Sequence, residues 1–452
     1  VAQILAQTIV LNRAVLPVQD AASVAISNSV LMASGTRKSI YDIRGNLSAD
    51  YNDLYRSGNA LVALIDMTNF IQEIDSVGVW AGLTGQDAHS LSHNPRFADS
   101  QAGDFHPMSS AGRYDPASGT YIETDPPAEN SPLIDAGNPG IACTEPSPNG
   151  GRINIGRHGN TGQASKTPTN GALTLLSFNN GGLAAGTNVL VTWLARGETT
   201  NGTVSISYSV DGGLTWTNLA AGIPATNGVW SWDSTLSAQS VEARIKIDGS
   251  DGTTAQNERL FAVRNTPFSF YINDTNQLND VYCNVGGSNS FNGLSPDTPM
   301  ADLNTLLARY DLEGGDTVYI DTGVYRGVEP WRITQSDSAG ALGLPPVVFQ
   351  GSTNSQFMTV LDRSFNTVGI QVDYAFGVRL RNITISNTVE NAVIFNGCFD
   401  TAAEWLTVDR ANVAFRLKGG EQLRVAHSLV LNSSQGVVVE DWGGSLKEVA
   451  PV

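Results

Sequence analysis

Short runs of alternating apolar and polar residues recur at a nearly constant interval near the carboxyl-terminal end of the chain. Equivalent runs begin at Ile383, Leu406 and Leu429, which are equally spaced, and a second apolar run follows each of them. A period of about 20 to 30 residues with several short strands is typical of a solenoid, whose repeats bury their apolar side by stacking. Because side chains alternate across a strand, Val393 and Phe395 are predicted to point into a shared core. The pattern predicts a parallel β-helix.

A weaker form of the same rhythm occupies residues 1–90. Ile26 and Asp50 open two similar segments, each with a polar corner beside apolar strands. We therefore expect the last coils of an earlier β-helix in this part of the chain. Residues 94–165 are rich in Pro, Gly and Asp and contain few alternating runs. They predict a long irregular segment that covers the open end of that solenoid.

Residues 171–265 change period again. They contain about seven short alternating runs, with a Gly-containing turn every eight to twelve residues or so, which predicts a β-sandwich. The predicted strands begin at Leu173, Val189, Val204, Leu214, Val229, Val241 and Leu260.

Several segments resemble bacterial right-handed parallel β-helix proteins of the pectate-lyase-like superfamily. Those similar to the family's closing region are Asn94-Pro-Arg-Phe-Ala-Asp99, Gly103-Asp-Phe-His106, Asn130-Ser-Pro-Leu-Ile-Asp-Ala-Gly137 and Pro148-Asn-Gly-Gly-Arg-Ile-Asn-Ile-Gly156. Those similar to its opening cap are Asp280-Val-Tyr-Cys-Asn-Val-Gly-Gly287, Asn292-Gly-Leu-Ser-Pro-Asp-Thr-Pro299 and Gly314-Gly-Asp-Thr-Val-Tyr-Ile-Asp-Thr-Gly-Val-Tyr325. The superfamily contains lyases, glycoside hydrolases, adhesins and non-catalytic surface proteins, so the resemblance implies a fold more than an activity.

The expected architecture is therefore all-β. Residues 1–165 are expected to form the C-terminal coils and closing segment of one right-handed parallel β-helix. Residues 166–266 resemble a fibronectin III or immunoglobulin-like sandwich, and residues 267–452 are expected to form the N-terminal cap and first coils of a second β-helix. A closing segment that precedes an opening cap is expected of a piece of a longer tandem array.

The amino-acid composition excludes some classes of binding partner. The formal net charge of −17 and the pI near 4.6 argue against nucleic acid and anionic membranes, because such binding depends on Lys and Arg. No apolar run is long enough to insert into a membrane, and the three cysteines lack the spacing of a disulfide framework or a zinc site. An acidic, Lys-poor composition predicts a secreted or cell-surface protein.

A candidate catalytic column consists of Arg381, Glu404 and His427, which follow one another at the same constant interval. Stacking of coils at about 4.8 Å would bring the three side chains together at one corner. In a functional interpretation, Arg381 holds the carboxylate of an acidic sugar and His427 acts as an acid or base. In a structural interpretation, the same residues form a salt-bridge ladder between coils.

A candidate carbohydrate platform consists of Trp230 and Trp232, which share one face of a strand at i and i+2. The alternative is that these rings pack in the sandwich core or against a neighbouring domain.

Asp274, Asn276 and Asp280 offer oxygen ligands for calcium near the junction between the sandwich and the second β-helix. The alternative is a solvated polar turn. Calcium is the one cofactor that the sequence suggests.

We expect a structural or adhesive segment of a large extracellular tandem-repeat protein. Its expected partners are a polysaccharide or cell-surface glycan and further copies of the same repeat array. Two alternatives stay open: a polysaccharide lyase or glycoside hydrolase of the β-helix class, and a non-catalytic carbohydrate-binding module.

Overall fold

A computed structural model of the chain describes residues 2–440, apart from 6–7, 11–15, 19–22, 36–38, 44–45, 58–59, 68–69, 75, 180, 341–342 and 355. The chain divides into two compact units. The first comprises Val1–Asp66 and Glu73–Asn265, and the second comprises Met67–Gln72 and Thr266–Val452. Nearly all regular structure is β, in solenoid sheets and sandwich-like sheets, which confirms the predicted fold class.

The first solenoid is built from ten short strands in three sheets. The strands are β1 Ala2–Leu5, β2 Thr8–Val10, β3 Leu16–Val18, β4 Ser23–Ser27, β5 Val30–Ser34, β6 Ser39–Ile43, β7 Asn46–Asp50, β8 Asp53–Ser57, β9 Leu61–Met67 and β10 Phe70–Ile74. The sheets are β1-β4-β7, β2-β5-β8 and β3-β6-β9-β10, so successive turns of chain add strands to the same sheets. Ile26 lies beside Ala49 and not beside Asp50, so this turn is one residue shorter than the sequence predicted. The corner residues Asn28 and Tyr51 have left-handed backbone and repeat with the same period as Ile26 and Ala49.

The closing segment, residues 76–165, consists of one helix and two antiparallel hairpins among irregular loops. Its elements are α1 Val77–Thr84, β11 Phe97–Asp99, β12 Asp104–Pro107, β13 Arg113–Asp115, β14 Thr120–Ile122 and the 3₁₀ turn Pro127–Glu129. Trp80 of α1 packs into the core of the first solenoid. The Trp80 indole N–H and the Tyr41 hydroxyl both donate to the buried carboxylate of Asp87, at 3.0 and 3.2 Å. The end of the first solenoid is thus sealed by apolar packing and a buried polar cluster.

The sandwich, residues 171–265, has two sheets. Its strands are β15 Ala172–Leu175, β16 Leu183–Ala184, β17 Val189–Arg196, β18 Thr203–Ser209, β19 Thr217–Pro224, β20 Val229–Trp232, β21 Ser240–Gly249, β22 Thr254–Gln256 and β23 Phe261–Val263, with 3₁₀ turns at Gly197–Asn201, Ala225–Asn227 and Ser234–Leu236. One sheet has the order β15-β17-β20 and the other the order β16-β23-β21-β18-β19, with β22 beside β21. Inward residues of both sheets, including Val191, Ile206, Ile245 and Phe261, form one core.

The second solenoid, residues 266–440, begins with a short helical cap. Its elements are β24 Ser269–Ile272, α2 Leu303–Arg309, β25 Thr317–Ile320, β26 Gly323–Tyr325, β27 Trp331–Ile333, β28 Val347–Gln350, β29 Thr359–Asp373, β30 Val378–Arg381, β31 Ile383–Phe399, β32 Ala402–Glu404, β33 Thr407–Asp409, β34 Val413–Glu421, β35 Arg424–Ala426, β36 Leu429–Leu431 and β37 Gln435–Glu440. The pairings between turns are parallel; β24-β25-β28-β30-β32-β35 form one sheet, and the remaining strands form another. Val393 and Phe395 are buried inside the coil, as the alternation predicted.

Left-handed corner residues stack in columns along the second solenoid. The columns are Tyr374, Gly397 and Gly419; Gly377, Asp400 and Gln422; Asn382, Trp405 and His427; and Asn387, Arg410 and Asn432. In every column, the second step along the sequence is one residue shorter than the first. The last described turn is therefore one residue shorter than the turn before it.

Candidate functional site

The corner that carries the predicted catalytic column is built at the ends of β30, β32 and β35. Arg381 lies directly beside Glu404 in the parallel register, and its Nε donates to Glu404 Oε2 at 2.7 Å. Arg424, which the sequence did not single out, reaches the other carboxylate oxygen from the next turn. Glu404 is 3% exposed, so this carboxylate is buried between two guanidinium groups.

His427 does not join this column. The sequence pattern placed it over Glu404, but Glu404 pairs with Ala426 because the last turn is one residue shorter than the repeat assumed. Ser428 takes the place equivalent to Leu406, and its hydroxyl accepts the Leu406 N–H at 3.2 Å. The predicted alignment of Leu406 with Leu429 was wrong for the same reason, since Leu429 lies beside Thr407.

His427 instead stacks on Trp405, with ring centroids 5.2 Å apart and planes inclined by 10°. Both residues occupy left-handed corner positions, with φ near 53° and 52°. The Trp405 side chain is 49% exposed. A surface aromatic pair therefore lies next to the pair of arginines that share Glu404. The composite corner of Arg381, Glu404, Trp405, Arg424 and His427 is the candidate functional site.

Other ion pairs join successive turns of the second solenoid in the same manner. Arg332 Nη1 lies 2.9 Å from Asp373 Oδ2, and Arg379 Nη2 lies 2.7 Å from Asp400 Oδ1. Each pair links one turn to the next. The Arg381–Glu404–Arg424 triad therefore also braces the coil, with Arg424 in the place that the predicted ladder gave to His427.

Glu404→Gln is expected to lower the free energy of unfolding by about 1–2 kcal/mol. The amide loses two charge-assisted hydrogen bonds and leaves uncompensated the two arginine charges, which lie on the turns on either side of Glu404. The partial exposure of both arginines limits the cost. Urea denaturation measures the change. The matched control is Glu421→Gln, an exposed carboxylate on β34, which should shift stability by less than about 0.5 kcal/mol. Equal effects of the two substitutions would contradict the brace.

The predicted tryptophan platform does not form. Trp232 is 2% exposed, lies in the sandwich core and donates its indole N–H to Ser237 Oγ at 3.1 Å. Trp230 is half-buried and packs against the same core. The i, i+2 pattern placed both rings on one face, and that face is the inner one. The core interpretation explains these rings better than a sugar contact does.

The three predicted calcium ligands each accept at least one hydrogen bond, and Asn276 Oδ1 accepts the backbone N–H of Leu278 at 3.1 Å. Asp274 accepts the backbone N–H of Asn276 at 2.7 Å and that of Val324 at 3.1 Å. Asp280 accepts the side-chain amide of Asn273 at 2.7 Å. Within the described residues, no group of three or more His, Cys, Asp or Glu side chains gathers in a way that could hold a metal ion. Asp280 Oδ1 and Asn273 Oδ1 are buried without a hydrogen-bond partner among the described residues, and the calcium site stays a prediction.

The closing segment contains a histidine pair that the sequence analysis did not find. His106 Nδ1 lies 2.6 Å from Asp104 Oδ1, and the His106 ring stacks on His158 with centroids 3.6 Å apart. Burial, together with the neighbouring His106, lowers the pKa of His158 to about 4. The two histidines are far apart along the chain and lie in segments without a repeat, so no periodic signal could have joined them.

The sandwich packs against the closing segment through apolar and polar contacts. Leu176 and Leu194 of the sandwich pack against a cluster that contains Leu91 and Leu133 of the closing segment. Arg196 of β17 donates to the carbonyl of Pro132 at 3.1 Å. Apolar and polar contacts from β17 and the loops of the closing segment therefore fix this junction. A cavity of about 470 Å³ lies beside it.

No family model, no curated protein and no solved structure matches the chain. Among the described residues, no helix is both long and apolar enough to cross a membrane.

Proposed function

We propose that this chain is a structural and adhesive segment of a large extracellular tandem-repeat protein. In this proposal, the second solenoid contacts an acidic glycan through the corner of Trp405, His427, Arg381 and Arg424. The same proposal places the chain among bacterial β-helix surface proteins that carry fibronectin III or immunoglobulin-like modules. The motifs of the closing segment and the opening cap support that placement.

The observation that carries the proposal is the position of Trp405. Its column begins with Asn382, and Asn is one of the few residues that adopt left-handed backbone readily. A bulky side chain in this conformation costs on the order of 1 kcal/mol. Trp405 nevertheless occupies the corner and leaves half of its side chain exposed. A strained residue with an exposed aromatic ring favours a role in binding.

Electrostatics favour an anionic sugar over a neutral one. Glu404 carries one negative charge and is paired with two arginines, Arg381 and Arg424. This corner therefore carries a local positive charge on a chain whose net charge is −17. A sugar ring can stack on an aromatic face while its carboxylate pairs with a guanidinium group.

The geometry favours binding without turnover. A general acid or base must reach the proton that it transfers. Both oxygens of Glu404 are bonded to arginines, and the carboxylate is buried. His427 is stacked on Trp405 and lies one residue beyond the strand position beside Glu404. The column therefore lacks the acid–base pair that a lyase needs.

Trp405→Asn is expected to separate binding from stability. Asn suits the left-handed corner, so the free energy of unfolding should stay unchanged or rise by up to about 1 kcal/mol. Affinity for an immobilised uronate polymer should fall by about tenfold or more, because the aromatic contact is lost. Arg424→Gln should weaken the same interaction and reduce its dependence on salt.

The matched control is Gln422→Asn, an exposed residue at another left-handed corner, which should leave binding unchanged. Neutral dextran serves as the ligand control. Equal binding of the uronate polymer by the wild type and Trp405→Asn would refute the site. Release of new polymer ends by the wild type would replace the scaffold with the lyase or hydrolase alternative.

A further inference from the structure

Two strand edges of the sandwich face the closing segment without a neighbouring strand in the part of the chain that the structure describes. β15 is the outer strand of its sheet, and β22 pairs with β21 alone. The two strands belong to different sheets, and their Cα atoms approach within 8 Å. The two edges therefore lie side by side, closer than the spacing of about 10 Å between packed sheets, although no strand pairing joins them.

The register shows which backbone groups of β15 point outward. Trp193 of β17 donates its N–H to Gly228, on the side away from β15. In an antiparallel strand, the N–H and C=O of one residue point to the same side. Leu175 lies opposite Trp193, so the backbone N–H and C=O of Leu175 point away from β17. Those of Leu173, two residues earlier, point the same way. His93 confirms this orientation, since its Nε2 lies 2.7 Å from the Leu175 carbonyl oxygen.

The same reasoning applies to β22. Asn257 donates its N–H to the Ile245 carbonyl of β21 at 3.3 Å, so Asn257 and Ala255 direct their backbone groups toward β21. Thr254 and Gln256 therefore direct theirs away from the sheet. Among the described residues, β22 presents two N–H and two C=O groups to which no other strand is paired.

Both edges line the cavity of about 470 Å³ beside the junction. Its opposite wall comes from the closing segment and includes Asn94, Arg96, Pro127, Asn130 and Pro132. The backbone groups of Thr254 and Gln256 repeat every second residue, about 6.6 Å apart. An extended peptide repeats its own donors and acceptors at this interval, whereas a sugar chain does not. The spacing therefore favours an extended peptide over a sugar chain as the ligand.

We propose that this cavity binds an extended peptide of about four residues, which adds as a strand to the free edge of β22 with the edge of β15 alongside it. Main-chain hydrogen bonds supply the affinity in this mode of recognition. This inference goes beyond the adhesive function, because it concerns another unit of the chain and another class of ligand.

The probe is a library of random heptapeptides displayed on phage, selected against the full chain. Synthetic forms of the enriched peptides are then tested with Gln256→Pro, which removes one outward N–H and leaves the pairing to β21 intact. The matched control is Gln256→Thr, which keeps the N–H. The expected result is at least a tenfold loss of affinity for Gln256→Pro and none for Gln256→Thr, with hydrogen-exchange protection of the Thr254 and Gln256 amides by the peptide.

Absence of enriched peptides would overturn the proposal. Equal affinity of the peptides for both variants would also overturn it, because main-chain pairing to β22 would then contribute nothing. Protection of the same amides by an oligosaccharide mixture, with no peptide bound, would assign the cavity to a sugar instead. Urea denaturation of Gln256→Pro shows that the variant is folded under the assay conditions.

Discussion

Asp321→Asn is expected to destabilise the second solenoid by about 3–4 kcal/mol. Asp321 is fully buried, and its two carboxylate oxygens accept four backbone N–H groups. Oδ1 accepts those of Val281 and Thr322 at 2.6 and 2.7 Å, and Oδ2 those of Tyr282 and Cys283 at 2.8 and 2.6 Å. An amide would direct its own N–H₂ group at two of these donors, and each unsatisfied buried donor costs about 1–3 kcal/mol.

The substitution should also release the loop that Asp321 holds. Burial raises the pKa of the Cys283 thiol above its ordinary value, and the nearby Asp321 carboxylate adds to that effect. In Asp321→Asn, this thiol should react faster with a thiol reagent, in a Cys143→Ser background. Asp297→Asn is the control, because Asp297 is exposed and bonds one side chain at 2.8 Å. Unchanged stability and thiol reactivity in Asp321→Asn would show that the carboxylate does not organise the cap.

Asp53→Asn is expected to stabilise the first unit at neutral and alkaline pH by about 2–4 kcal/mol, and to have almost no effect near pH 4. Asp53 is fully buried. Its Oδ1 accepts the backbone N–H of His93 at 3.0 Å, and its Oδ2 has no hydrogen-bond partner among the described residues. Burial raises the pKa of this carboxyl to about 7.

The sign follows from proton linkage. Between about pH 4 and 7, the folded protein holds a proton on Asp53 that the unfolded chain has lost, so stability falls as pH rises. Below pH 4, the protonated carboxyl and the Asn amide are nearly equivalent, since each keeps the acceptor for His93 and adds a donor. Glu145 and His158 also titrate with shifted pKa values, but they are present in both proteins and cancel in the difference.

The measurement is urea denaturation of both proteins from pH 4 to 8. Glu129→Gln, an exposed carboxyl of the closing segment, controls for the loss of one charge and should follow the wild-type profile. A constant difference between Asp53→Asn and the wild type at all pH values would disprove the buried ionisation.

The alternation of buried and exposed side chains could be predicted from the sequence because it depends only on neighbouring residues. Val393 and Phe395 lie inside the coil, as predicted, since a strand places alternate residues on opposite faces whatever its neighbours are. The repeat period was nearly correct for a related reason. Each turn must return to the same sheet, but the turns from β25 to β28 and from β28 to β30 are longer than this repeat. The turns from β30 to β32 and from β32 to β35 differ in length by one residue. That variation was enough to move His427 from Glu404 to Trp405.

By contrast, the tertiary structure determines which of the two faces of a strand is buried. Trp230 and Trp232 alternate with polar residues, and that pattern is the same for an exposed platform and for a core. Packing of the second sheet against β20 placed Trp232 inside. Trp405 is the tryptophan that the described part of the chain leaves half exposed, and it stands at a left-handed corner that alternation does not predict.

The sequence by itself determined the all-β class, the solenoid repeat and the presence of a sandwich, because alternation and spacing are properties of neighbouring residues. Only the tertiary structure decided the contacts between distant loops. His106 meets His158, Arg196 meets Pro132, and Asp321 meets the loop at Tyr282. These contacts form where the backbone is irregular and its polar groups are not paired by neighbouring strands. Side chains that the fold brings close then form hydrogen bonds with these backbone groups.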